Sequence, residues 1–201
     1  MANQKRKNIK IIYKPLTDSD IEDAIRLHQV LIPSVGARMG APYLRKLYTT
    51  LLEHPAIHLV FGAFENKQLV GIISATNNFS TTMRLLNKRF VALVPTVLFG
   101  LIRNRYSLKE LIAHAKVDSQ IKQLFNNNSA YILNIAVDPQ VQHRGIATQL
   151  VQKVQEKWNI KKIILVDTQK SNVSAHKFYK KIGFVPVFEV ADSIIFQQIP
   201  A

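Results

Sequence analysis

Between Tyr131 and Trp158 the chain must pass from strand to helix through one tight turn, and nothing else in it constrains the fold as much. The run Tyr131-Ile132-Leu133-Asn134-Ile135-Ala136-Val137 is short and apolar, as a buried strand is. Asp138-Pro139 ends it and Gln142-His143-Arg144-Gly145 turns the chain. Ile146, Leu150, Val151, Val154 and Trp158 then recur at helical spacing, with Thr148, Gln149, Gln152, Lys153 and Glu156 opposite. A helix entered this way leaves its first amides unpaired and aimed at one point. Together with the positive end of the helix dipole they form a site for phosphate. Gly145 lets the backbone approach a pyrophosphate with no Cβ in the way, and Ala147 keeps the first helical turn thin. Gln142, His143 and Arg144 stand where side chains can reach the phosphates, the alternative for the last two being solvated surface charge.

The other periodicities build a mixed sheet around that unit. Lys10–Leu16 reads as a strand, and Thr17-Asp18-Ser19-Asp20 as a capping box before a helix carrying Ile21, Ile25, Leu27 or His28, and Leu31. Pro33-Ser34-Val35-Gly36 should break the helix, and another should run from Pro42 through Leu44, Leu47, Tyr48 and Leu51. His58–Phe64 and Leu69–Thr76 flank a turn and form a hairpin. Beyond Trp158 come a short buried strand around Ile163–Val166, a helix opened by Asn172 and stopped by Gly183, and two final strands. The order is β-α-α-β-β, a helical insertion at about 78–129, then β-α-β-α-β-β, an α/β mixed sheet with helices on its faces.

At 201 residues this is one domain, 9–201, behind a disordered basic tail, 1–8. The absence of cysteine excludes disulfides, thiolate metal sites and thiol nucleophiles. The N-terminus carries charge with no apolar stretch behind it, so a cytoplasmic location is expected. A net charge of +14 would suit nucleic acid, an anionic membrane or an anionic ligand. No aromatic–basic interleaving accompanies it, so a phosphate-rich ligand is the favoured partner and nucleic acid is not.

Two motifs give the chain a resemblance. Gln142-x-x-Gly145-x-Ala147, and Asn172-x-x-Ala175-x-x-Phe178-Tyr179-x-x-x-Gly183-Phe184, separated by a strand, resemble the two signature blocks of the GNAT superfamily of acyl-CoA-dependent N-acyltransferases. The element order agrees over nearly the whole length outside 78–129. The resemblance implies acetyl-CoA as acyl donor, no metal, and direct attack by an amine through a tetrahedral intermediate. It implies that the pantetheine arm lies along Leu133, Ile135, Ala136 and Val137, with an amide near Ile135 or Ala136 holding the thioester oxygen. The phosphates would lie at Gln142, His143, Arg144, Gly145, Ile146, Ala147 and Thr148. Asn172 would contact the cofactor or cap its helix. Tyr179 matches the tyrosine that protonates the departing thiolate, and a phenol with a pKa of about 10 suits that task.

Two matters stay open at this level. Several family members carry a glutamate base on the strand before the phosphate loop, and Tyr131–Val137 has no carboxylate; water held by Asn134 or Tyr131, Asp167, His58 and His114 are the alternatives. The insertion holds thirteen uncharged residues, Phe90 to Ile102, too few to span a bilayer, which takes roughly 20. Ser107-Leu108-Lys109-Glu110 then caps a helix expected to turn Leu111, Ile112, Ala115, Ile121, Leu124 and Phe125 inward. The insertion joins the central strand at the end away from the phosphate turn, so it should roof the acceptor pocket. The alternatives are extra core, a homodimer surface, or peripheral docking on an anionic membrane. The leading function is acetyl transfer to a primary amine of a small molecule such as an amino sugar, the basic surface favouring an amine that carries a carboxylate or phosphate. The alternatives are acetylation of a protein N-terminus or lysine, and an acyl-CoA-binding module without turnover.

Overall fold

A computed structural model describes residues 10–32, 34–90, 108–158 and 162–199. Seven strands form one sheet in the order β1-β2-β3-β4-β5-β7-β6: β1 Ile12–Pro15, β2 His58–Glu65, β3 Gln68–Thr76, β4 Ser129–Val137, β5 Ile163–Gln169, β6 Val185–Val190 and β7 Ser193–Gln198. Every pairing is antiparallel except that of β4 with β5. A parallel pair needs a crossover, and α6 (Ile146–Trp158) supplies it.

One face of the sheet carries α6 and α7 (Val173–Lys181). There Ile146, Leu150, Val151 and Val154 pack on Ile73, Ala75, Ile132 and Val166. Along α6 these side chains recur at helical spacing, and in the strands at alternate positions, which is why the two surfaces match. The other face is covered by α1 (Ile21–Leu31), α2 (Val35–Arg38), α3 (Ala41–Glu53), α4 (Phe79–Phe90) and α5 (Leu108–Leu124).

The expected elements are present, with four differences. The Thr17–Asp20 box closes, the Thr17 amide donating to Asp20 Oδ2 at 2.9 Å, but it caps a short 3-10 turn that leads into α1. Pro33–Gly36 does more than break the chain: α2 adds a further turn of helix, its Ser34 hydroxyl accepting from the Ala37 amide. Helix α4 has no counterpart among the elements expected from sequence; Phe79 and Leu86 bury its inner side. Helix α5 is rotated from its expected setting. Val117 and Ile121 are the buried residues, while Ile112 is 49% exposed and Ala115 is exposed. Its apolar residues form two competing stripes, and the one matching the sheet surface of Tyr131, Leu165 and Ile195 wins. Ser107 and most of the uncharged run, 91–102, lie outside the described residues, as does the basic tail. Among the described residues no helix is long and apolar enough to cross a membrane.

Candidate active site

The turn after β4 is built as a cradle. Asp138 closes a 3-10 turn by accepting from the Gln140 amide at 2.9 Å, and the Gln142 side chain donates back to the Val137 carbonyl at 3.1 Å. His143 and Gly145 both have positive φ, +64° and +77°. That pair of left-handed residues folds the backbone so that its amides face outward. Among the described residues the amides of 143–148 donate to no backbone carbonyl; the first bond into the helix is Gln149 N–H to Gly145 O at 3.0 Å. A Cβ at Gly145 would meet nothing within 4 Å, so the space above it is open. Arg144 is not simply a solvated charge: it pairs with Glu65 at 2.6 Å and so ties the turn to the end of β2. A cleft of about 430 Å³ lies beyond, between α6 and α7, lined by Thr148, Gln152, Lys181 and Ile182 among others.

From this turn a second opening runs back along β4. Its register with β5 ends at Ile132–Val166, and beyond it the strands part. Pairing with β3 slips there too: Ala75 faces Ile132 while Ser74 faces Asn134, leaving Leu133 as an extra residue. Such a bulge twists the strand and re-aims the residues after it. Asn134 is buried, donating to Ser74 Oγ at 2.6 Å, and its Oδ1 has no partner among the described residues. Tyr179 enters from α7, 4% exposed, among the rings of Phe178, Phe184 and Phe196. Burial and then the Asp167 carboxylate push its phenol well above its ordinary pKa, so it is protonated at neutral pH.

Asp167 is the first residue of β5 beyond the parting, and it gathers the rest of the site. Tyr131 Oη donates to its Oδ1 in a short hydrogen bond, and Ser193 of β7 bonds it as well. Burial raises the Asp167 carboxyl; those hydrogen bonds and the His114 imidazole act against the rise without cancelling it. Asp118, one turn along α5 from His114, stays solvent-accessible, yet protein atoms crowd its carboxyl. That crowding and then the field of Asp167 push it up to about 6. Tyr43 of α3 also senses Asp118, and burial and that charge push its phenol up to about 12. Among the described residues no group of His, Asp and Glu could hold a metal ion.

The geometry of a phosphate turn feeding a parted pair of parallel strands is what comparison with known proteins bears on. The acetyltransferase (GNAT) family profile matches residues 25–184. The chain belongs to the GNAT acetyltransferase family. It is thus an acyltransferase that uses coenzyme A. A sequence search of curated proteins returns no match. Solved structures share the fold at low identity. PaiA N-acetyltransferase from Thermoplasma acidophilum, in complex with coenzyme A, is 14% identical with a TM-score of 0.63, covering 95% of this chain and 99% of its own. The ribosomal-protein-S18-alanine N-acetyltransferase from Escherichia coli is 14% identical at 0.57, over 96% and 95%. Arabidopsis thaliana NAA60, bound to a bisubstrate analogue, is 16% identical at 0.59, over 94% and 98%.

Within this GNAT fold the anticipated residues fall into three groups. Leu133–Val137 edge the parted strands, Gln142–Thr148 form the turn, and Tyr179 stands buried at the opening between them. Asn172 is the cap of α7, accepting from the Ala175 amide at 3.1 Å. Of the alternatives for a base, Asp167, Tyr131 and His114 meet at one place. His58 does not join them: its Nε2 pairs with Thr82 at 2.9 Å, its Nδ1 with the Leu51 carbonyl at 3.3 Å, and burial pushes it down to about 4. It is a buried tie between α4, α3 and the sheet. Asp118 and Tyr43 carry no signal in the sequence beyond the i, i+4 spacing of His114 and Asp118 on one helix.

Proposed function

We propose that this acetyltransferase moves acetyl from acetyl-CoA to a primary amine of a small molecule, with Asp167 as base and Tyr179 as acid. The observation that carries this reading is the meeting of both groups where β4 and β5 part, one polar turn of chain from an open cradle of amides. The residues fit the coenzyme. Outward amides at 143–148 and the open space over Gly145 suit a diphosphate. Thr148 and Asn172 border that path. Bound acetyl-CoA supplies an activated acyl carbon and a thiolate leaving group.

The chain's own groups divide the work. The Asp138 amide bonds Val70 of β3, so strand alternation turns the amides of Ile135 and Val137 toward the opening and that of Ala136 toward β3. The Val137 carbonyl is taken by Gln142, which leaves the Ile135 amide as the donor suited to the thioester oxygen. Leu133, Ile135, Ala136 and Val137 form the wall for the pantetheine arm. Asp167, with its raised carboxyl held by Tyr131, takes the proton from the incoming ammonium. Tyr179 gives its proton to the departing sulfur and regains one from solvent. A peptide acceptor is the second reading. Against it, Arg38 of α2 reaches Glu110 of α5 at 2.8 Å and ties two helices together over this face.

Release of free coenzyme A with a panel of amines tests the proposal. Turnover with at least one small amine is expected, and Tyr179→Phe should lower kcat about 100-fold with acetyl-CoA affinity retained. Saturable acetyl-CoA binding with no thiol released for any amine would instead make the protein a binding module.

A further inference from the structure

Net charge and local charge disagree in this molecule. The chain carries +14, which argues for an anionic acceptor, yet the groups at the acceptor end are two carboxylates and two tyrosines. The insertion helix brings one of the carboxylates. On α5, His114, Val117, Asp118 and Ile121 fall at i, i+3, i+4 and i+7, one stripe of a helix. Val117 and Ile121 bury that stripe against Tyr131, Leu165 and Ile195. Asp118 therefore lies beside the sheet where Tyr131 holds Asp167.

Resting on the acetyltransferase reading above, we propose that Asp118 selects the acceptor. It binds a second positively charged nitrogen, so the substrate is a small aliphatic diamine whose reacting nitrogen lies at Asp167. Four observations converge. Two carboxylates facing one opening repel each other when both are ionised, and a ligand with one ammonium relieves only one of them. The strongest charge acting on Asp118 is that of Asp167, not that of any cation. Tyr43 and Tyr131, from α3 and β4, both sense Asp118, so phenol groups flank the carboxylates, and aromatic faces favour ammonium groups. Asn134, 8% exposed and on the same face of the sheet as Tyr131 and Asp167, keeps one amide atom without a partner next to the parted strands. Its Oδ1 can accept from the N–H of an amine. Ser193 and His114 complete the surroundings of Asp167; neither adds negative charge.

Gly36 explains how the wall is held. A Cβ there would come within 2.7 Å of the Tyr43 ring, so only glycine lets α2 close down on that tyrosine. The Arg38–Glu110 bridge then links α2 to α5. The second cation would thus be read by the one part of the chain that interrupts the common element order.

Three amines of matched length differing at the far end decide the matter: 1,5-diaminopentane, 1-aminohexane and 6-aminohexanoate. Wild-type kcat/KM should rank them in that order, the diamine leading the monoamine by about tenfold or more. In Asp118→Asn the ratio of diamine to monoamine should fall to within about threefold, and in Asp118→Lys 6-aminohexanoate should overtake the diamine. Equal use of all three by the wild type, or an equal loss for all three in Asp118→Asn, would overturn the inference while leaving amine acetylation standing. Calorimetric binding of the diamine needs no turnover, and it decides the case if none of the three is acetylated. About tenfold weaker binding in Asp118→Asn supports the assignment, and absence of diamine binding to the wild type ends it.

Discussion

The two ends of the opening between β4 and β5 are built from different materials. At the phosphate end the working groups are backbone amides, set by a run of consecutive residues, 138–148. At the acceptor end they are side chains from α3, α5, β4, β5 and β7: Tyr43, His114, Asp118, Tyr131, Asp167 and Ser193. A backbone cradle recognises what every acyl-CoA shares, and local sequence suffices to form it. A cage of side chains from distant segments can change one residue at a time without disturbing the cradle. The division lets one fold keep its donor and vary its acceptor.

The largest effect should come from the acceptor end. Asp167→Asn keeps the shape and removes the proton acceptor, and kcat should fall by about 10²–10⁴, the usual worth of a general base. Acetyl-CoA affinity, measured by calorimetry, should stay within about twofold. If both parameters fall together, Asp167 holds the strands in place and the contrast between the ends fails. Tyr131→Phe sharpens the point. It leaves the carboxylate without its hydrogen-bond donor, so the pH–rate profile should move to higher pH while the rate at the optimum changes less than in Asp167→Asn.

Gly145→Ala probes the other end and should show the reverse pattern. The added methyl meets no protein atom, so what it disturbs is the ligand and the local backbone at φ +77°. A stability cost of roughly 1 kcal/mol is expected from the left-handed conformation. Acetyl-CoA affinity should weaken about tenfold or more, with the preference among amines unchanged. A variant that binds acetyl-CoA as the wild type does would show that the coenzyme lies elsewhere.

The same contrast explains what is legible in the sequence. The strand, turn and helix of 131–158 announce themselves because the turn chemistry and both periodicities are local. Tyr179 follows by its place in a motif. Helix α4 is hidden because Phe79, Met83 and Leu86 sit in a segment whose polar neighbours read as part of an irregular insertion. The buried face of α5 is ambiguous because Leu111, Ile112 and Ala115 offer as good an apolar stripe as Val117 and Ile121, and only the sheet beneath chooses between them. His58 resembles a base for want of its partner: Thr82, which satisfies it, lies on the unexpected helix. Asp167 can be named from sequence but not ranked, since its value rests on Tyr131 across the parting and on Asp118 from another segment. A carboxylate's neighbours are a tertiary fact.

The smallest effect is on stability, and it too separates the ends. The Arg144–Glu65 pair at the phosphate turn is partly exposed, and Glu65→Gln should cost no more than about 1 kcal/mol. Asp118→Asn should act in the opposite direction. Its folded pKa of about 6 lies above the ordinary aspartate value of 3.8, so the folded state holds the proton more tightly than the unfolded one. Ionised Asp118 therefore costs stability: the cost is absent below pH 3.8, grows as pH rises, and is complete above about 6. Because the residue is exposed, solvent screening reduces the gain from neutralising it to about 1 kcal/mol. That corresponds to a Tm about 2–4 °C above wild type at pH 7.5. Near pH 3.5 the two proteins should melt together. A gain that persists unchanged at low pH would mean that helix packing, rather than repulsion from Asp167, is what the substitution relieves. The acceptor end would then store no charge strain for a cationic substrate to release.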